Sequence, residues 1–118
     1  MNSERHILSA FDRDLEAVQA TVVKMGGMVE SAIHDAAAAL ETRDDELAEA
    51  VRARDKAIDM LEAQVNEEAA RLIALRAPRA TDLRVVLSII KISSSLERVG
   101  DYAKNIAKRS HVLADLPP

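Results

Sequence analysis

The 118 residues include no cysteine, no tryptophan, one phenylalanine (Phe11), one tyrosine (Tyr102), and only three glycines and three prolines. Each shortage removes a class of protein. Without cysteine there is no disulfide framework, no thiolate zinc site and no cysteine nucleophile. Two aromatics and a net charge of −4 offer neither a base-stacking platform nor a cationic groove, so nucleic acid is excluded as a partner. Aliphatic stretches such as Val85 to Ile90, between Arg84 and Lys91, fall well short of the ~20 apolar residues of a membrane span. No apolar signal region follows the charged start Met1-Asn2-Ser3-Glu4-Arg5. The expectation is a soluble cytoplasmic protein.

What is present favours helix almost everywhere: 31% of residues are charged, and Ala, Leu, Glu and Arg are abundant. From Ile7/Leu8 the apolar residues recur in steps of three and four through Phe11, Leu15, Val18, Val22, Met25, Val29, Ile33, Ala36/Ala37 and Leu40. That is the core stripe of one long amphipathic helix. Asn2 or Ser3 can cap it, and Thr42, ahead of Asp44, Asp45 and Glu46, can cap the next. Gly26-Gly27 lies inside this first helix and reads as close helix packing or a slight bend. A second stripe runs Leu47, Val51, Ile58, Leu61, Val65, Ala69, Leu72 and Leu75, with Asp55 standing where an apolar residue is due. The segment Arg76-Ala77-Pro78-Arg79-Ala80-Thr81 ends it, and a third helix is expected from about Pro78 or Thr81 to about Leu113, with Thr81 able to cap it.

The third helix carries two stripes. One is a heptad line, Val85, Ile89, Ile92, Leu96, Val99, Ala103, Ile106 and Leu113. On roughly the opposite face Leu83, Leu87, Ile90 and Ser94 lead into Glu97, Asp101, Asn105 and Lys108, so that face turns from apolar to acidic. A helix apolar all round in its first half needs neighbours on both sides, which reads as a surface for a partner subunit or a second bundle. The fold class is therefore all-α, an up-down-up three-helix bundle over residues 1–114, with 115–118 a tail or linker.

Two acidic pairs at i, i+4 bear on function: Asp55 with Asp59, and Glu97 with Asp101. Spacing alone does not single them out, since 20 acids give about three such pairs by chance and five occur, the others being Asp12/Glu16, Glu41/Asp45 and Asp45/Glu49. Placement does. Asp55 occupies a core position and Glu97/Asp101 continues an apolar face, an arrangement that is costly without a counter-ion. Two readings stay open. Arg54, Lys56 and Arg98 neutralise the acids across helices, or a cation binds; all-oxygen ligation would then suit magnesium, manganese or iron.

A ferritin-like di-iron centre requires Glu-x-x-His on paired helices, and that motif is missing. His6, His34 and His111 are isolated, and His34-Asp35 supplies no more for phosphotransfer than the histidine itself. Lys104, Lys108 and Arg109 read as cations complementing the dipole near the end of the third helix, with phosphate or phospholipid contact as the other reading. No phosphate loop, nucleophile elbow or HExxH motif occurs, so no enzyme is expected.

The segment Leu96-Glu97-Arg98-Val99-Gly100-Asp101-Tyr102-Ala103-Lys104-Asn105-Ile106-Ala107-Lys108-Arg109 resembles the signature of the PhoU family of phosphate-transport regulators. Other segments agree in order and spacing: His6-Ile7 with Phe11-Asp12 and Leu15, Met25-Gly26, Arg54-Asp55 with Ile58-Asp59 and Glu62, Arg71 to Leu75, and Pro78 with Asp82-Leu83-Arg84. The resemblance implies one half of a six-helix, pseudo-twofold protein that couples the phosphate ABC transporter to a sensor histidine kinase and restrains the phosphate-starvation response when phosphate is plentiful. It also implies metal binding, often of iron, at the Glu/Asp-x-x-x-Asp motifs. By position these are Asp55 and Asp59, then Glu97 and Asp101, with Asn105 a supporting contact one turn on; Gly100 inside the motif either keeps the backbone beside them uncluttered or packs closely against the first or second helix. With one bundle the chain is either a fragment of such a protein or a single-repeat member; in the second case a homodimer with an isologous interface is expected to rebuild the six-helix arrangement, and in both the membrane is met only through partners. A purely structural oligomerisation bundle without metal is the alternative.

Overall fold

A computed structural model describes residues 2–117, with side chains described for 10–110, 112–113 and 115–117. Ile7 and Leu8 of the first stripe, His6 and His111 lie outside those described side chains. Three helices, α1 (Asn2–Thr42), α2 (Asp45–Arg76) and α3 (Ala80–Ala114), each packed on the other two, form the expected up-down-up bundle. It is a rod of 71 × 17 × 16 Å, a length consistent with a helix of 41 residues rising about 1.5 Å per residue. Among the described residues there is no strand and no helix long and apolar enough to cross a membrane.

The caps differ from those read from sequence, two residues later at α2 and two residues earlier at α3. Asp44, not Thr42, caps α2: its carboxylate accepts from the Leu47 N–H at 3.1 Å, with Asp45 and Glu46 in the first turn. Thr42 ends α1 instead, its hydroxyl donating to the Ala38 carbonyl at 2.7 Å. Arg79 is the N-cap of α3 without a side-chain bond, and Thr81 lies inside the helix. At the end of α2, Ala77 adopts φ 43 and ψ 56, and its N–H closes onto the Ile73 carbonyl at 3.0 Å. That left-handed cap lets Pro78 follow, at the cost of a Cβ in a region that glycine enters freely.

The core has two parts. At one end Phe11, Val18, Val65, Ala69, Leu72, Val86 and Ile89 make a bulky aliphatic cluster, with Leu15, Val22, Ile73 and Ile90 packed around it. At the other the buried residues are mostly small: Ala32, Ala36 and Ala39 of α1, Ala48 of α2, and Ala103 and Ala107 of α3, with Met25, Val29, Val51 and Ile58 filling the widest gaps. Helices meeting through alanine approach closely, and this moves the buried line off the bulky residues of the sequence stripe. Ile33 (41% exposed) and Leu40 (38%) turn outward beside Ala32, Ala36 and Ala39, Leu75 is exposed, and on α3 Val86 and Ser93 are buried where Val85 and Ile92 were expected. Leu87 on the other side of α3 is exposed as well.

Ion pairs fix α1 to α2 along one seam: Arg76 Nε lies 2.8 Å from Asp14 Oδ2, and Arg54 pairs with Asp35. Of the glycines, only Gly100 is a close approach. A Cβ there would meet Ile58 Cδ1 and Cγ2 at 3.4 Å, whereas Gly27 has nothing within 4 Å and Gly26 meets only Leu96 Cδ1 at 4.0 Å. The expected close packing of the Gly26-Gly27 pair is therefore confined to a loose contact at Gly26.

The backbone thus favours glycine at 77 and disfavours it at 27. Thermal unfolding followed by circular dichroism should show Gly27→Ala and Ala77→Gly each stabilising the fold by about 0.5–1 kcal/mol, a Tm rise of roughly 2–6 °C. A Leu at Ala36, by contrast, overfills the alanine seam and should cost about 1–3 kcal/mol or more.

Candidate metal centre

The acidic residues of α2 and α3 face one another in the alanine-lined half of the rod. On α2, Asp55, Asp59 and Glu62 follow at i, i+4 and i+7; on α3, Glu97, Asp101 and Lys104 repeat that spacing with a lysine in the third place. Such triplets lie along one helical face, so two facing helices place the six side chains in one strip.

Asp55 forms the floor of the strip. Its side chain is only 4% exposed, as its position in the apolar stripe of α2 predicted. Gly100 makes room for it, since a Cβ there would stand 3.8 Å from Asp55 Oδ1 as well as against Ile58. Oδ2 lies 3.4 Å from the Lys104 ammonium, and Oδ1 has no hydrogen-bond partner. Both readings left open for Gly100 therefore hold: it packs against Ile58 and it leaves the carboxylate unobstructed.

One oxygen each from Asp55, Asp59 and Asp101 lie within 4.8 Å of one another, with Asp59 and Asp101 open to solvent above the buried floor. Oxygens sharing one hard cation at ~2.1–2.5 Å stand ~3–5 Å apart, so the trio has the right scale for magnesium, manganese or iron. The orphaned Oδ1 is the observation that separates this trio from an ordinary acidic surface, because a buried carboxylate oxygen without a partner is strongly disfavoured.

Glu97 is partly buried beside the trio but is not one of its three ligand positions, and Asn105 is exposed, one turn beyond Asp101. Electrostatics still tie Glu97 to the strip. Burial, then the Asp101 charge and a hydrogen bond to it, then Glu62 and Asp59, push its carboxyl up to about 7. Burial and the Asp59 charge likewise raise Asp55, against a lowering by Lys104, and burial with Asp59 and Asp101 raises Glu62. Asp55, Glu62 and Glu97 therefore hold protons more tightly than free carboxyls do.

The cations expected to neutralise the acids do not do so. Arg54 turns to Asp35, while Lys56 and Arg98 are exposed and make no ion pair with the strip among the described residues. Lys104 takes that role. It lies some ten residues before the end of α3 at Ala114, outside the last turn where the helix dipole acts. Glu62 and Lys104 are the two members that sequence reasoning did not assign to the site, although each falls seven residues after an acid that it did assign. His34 is exposed, and its neighbour Asp35 is committed to Arg54.

The chain as a whole has relatives among known proteins. A family profile described as the PhoU domain matches residues 22–110. The chain is 45% identical over 113 residues to a phosphate-specific transport system accessory protein PhoU homolog of Caulobacter vibrioides, covering 96% of this chain and 49% of that protein. The crystal structure of PhoU from Pseudomonas aeruginosa superposes with a TM-score of 0.87 at 41% identity, covering 89% of this chain and 50% of that one. The phosphate transport system regulatory protein PhoU of Streptococcus pneumoniae gives 0.80 at 36% identity, covering 85% and 47%. The chain spans about half the length of the relatives it matches.

The raised carboxyls fix the sign of the pH dependence. Glu97 titrates near 7 in the folded protein against an ordinary 4.5, so between those values the native state binds the extra proton and stability falls as pH rises. Metal-free protein should melt higher at about pH 5 than at about pH 8, and Glu97→Gln should remove most of that difference relative to wild type. A wild-type slope left unchanged by Glu97→Gln would contradict the assignment.

Proposed function

Since the chain belongs to the PhoU family, whose domain it matches over residues 22–110, we propose that it is a regulatory binding module of phosphate homeostasis. In this reading it couples a phosphate ABC transporter to a sensor histidine kinase and represses the phosphate-starvation response while phosphate is plentiful. It works by binding and carries out no chemical conversion. The bundle, residues 1–114, is the working unit and 115–118 a tail or linker. Pairing of two copies would cover the apolar residues left outside on α1 and α3, and membrane contact would come only through the transporter.

The observation that carries the metal part of this reading is Asp55, buried and half unpartnered beneath two solvent-facing aspartates. Asp55, Asp59 and Asp101 would hold the ion, Glu97 would join them once deprotonated, and Asn105 would support from one turn further along α3. All donors are oxygens, which suits manganese, iron or magnesium. A bound ion would supply positive charge to a strip that is otherwise self-repelling. This chain's own residues do the rest: Gly100 lets α3 approach Ile58, and the two helices present their acids to one point.

A structural oligomerisation bundle without metal is the second reading, and the Asp55–Lys104 ion pair favours it, because the chain already brings one cation to the floor of the strip. Metal content of tag-free protein, measured by mass spectrometry for wild type and Glu97→Ala/Asp101→Ala with light scattering on the same samples, separates the two. The metal-dependent reading expects bound manganese or iron in wild type and its loss in the double variant. Equal and negligible metal in both would favour the structural bundle. The regulatory role is tested separately, since deleting the gene should derepress phosphate-starvation genes in phosphate-rich medium.

A further inference from the structure

We infer that Lys104 is a displaceable internal counter-ion that occupies the position of a bound cation in the acidic strip and thereby sets the strip's metal affinity. The inference rests on the metal-binding reading above and concerns how that site is regulated.

Three features of the geometry carry it. The first is that the Lys104 ammonium meets the one carboxylate that cannot reach water. It stands 3.4 Å from Oδ2 of Asp55, whose side chain is 4% exposed, while Asp59 and Asp101 above it are solvated and make no ion pair with a protein cation among the described residues. The second is that the pairing is incomplete. Charge-assisted hydrogen bonds between ammonium and carboxylate run at about 2.7–2.9 Å, so 3.4 Å is a loose contact, and it leaves Oδ1 without a partner. A single ammonium therefore meets half of the demand of one carboxylate in a strip of five. The third is that the two partners differ in freedom. Asp55 is a short side chain, 4% exposed and buried beside Gly100, whereas the Lys104 side chain is 37% exposed on a flexible four-carbon stem and can turn into solvent without moving α3.

A metal ion taken up by Asp55, Asp59 and Asp101 would place two positive charges within a few ångströms of the ammonium, so metal and Lys104 exclude one another at Asp55. Occupation by lysine stabilises the metal-free bundle, and its departure accompanies metal uptake. Other nearby cations cannot substitute: Arg54 is held by Asp35, and Lys56 and Arg98 face solvent. Lys104 therefore acts as a positioning residue for Asp55 in the metal-free protein and as a competitor for it during loading.

The test is titration of tag-free protein with manganese(II) by calorimetry, with thermal melts in the presence and absence of the ion, for wild type, Lys104→Met and Lys108→Met. Lys108 is exposed one turn further along α3 and removes the same charge without touching Asp55. Lys104→Met should bind manganese about tenfold more tightly or better, while its metal-free form melts at a lower temperature because Asp55 is left buried without a cation. Lys108→Met should match wild type in both. If Lys104→Met does not fold, Lys104→Gln, which can donate to Asp55 without carrying charge, is read in its place. Manganese bound by wild type but with equal or weaker affinity in the Lys104 variant would overturn the inference and leave the metal site standing. No manganese uptake by any of the proteins would overturn both.

Discussion

Everything particular to this bundle follows from confining carboxylates between two helices that meet closely where Gly100 packs on the Ile58 side chain. Asp55 is buried beside Gly100, and the same approach also brings Asp59 and Glu62 of α2 against Glu97 and Asp101 of α3. Five acids at that separation cannot all be ionised and unpaired. Positive charge has to enter the strip, and three sources are within reach: a proton on Glu97, the ammonium of Lys104, or a metal ion on the aspartate trio. The proton affinity of Glu97, the loose lysine pair and the oxygen-rich geometry are three expressions of that single constraint.

The scaffold is arranged to sustain that constraint. The aliphatic cluster of Phe11, Val18, Val65, Leu72, Val86 and Ile89 anchors one end of the rod through bulk. The other end has little side-chain volume, because Ala32, Ala36, Ala39, Ala48, Ala103 and Ala107 let the helices close in. Less apolar side-chain surface is available for burial there. Pairs such as Asp14–Arg76 and Asp35–Arg54 keep α1 and α2 in register and also hold Arg54 away from the acids. The strip is thus left with one loosely held cation of its own, a condition under which an external ion can compete.

Much of this was legible in order along the chain. The helical periods, the breaks near Thr42 and Pro78, and Asp55 as a polar intruder in a core stripe were all readable, because burial along a helix repeats every three to four residues and a lone charge interrupts that repeat visibly. The resemblance carried by Leu96 to Arg109 pointed to the family that the comparisons then established. Where sequence reading went astray, competition between neighbours was the reason. Thr42 and Asp44 both suit a cap, and only the actual path of the turn chose Asp44. Ile33 and Ala32 both suit a core position, and the spacing between helices chose the smaller residue.

Fold class, helix count and the placing of acidic pairs on single helical faces were determined by the sequence alone, since each depends on periodicity within one helix. Which acids converge, which of them loses its solvent and which cation answers it were decided only by tertiary structure. Arg54, Lys56 and Arg98 lie nearer the acids in the chain or within their motif, yet Lys104 is the one that reaches Asp55, because distance across a helix interface is set by packing and facing angle rather than by position in sequence. The orphaned oxygen of Asp55 belongs to the same class of fact: it exists only once α3 has closed over α2 at Gly100.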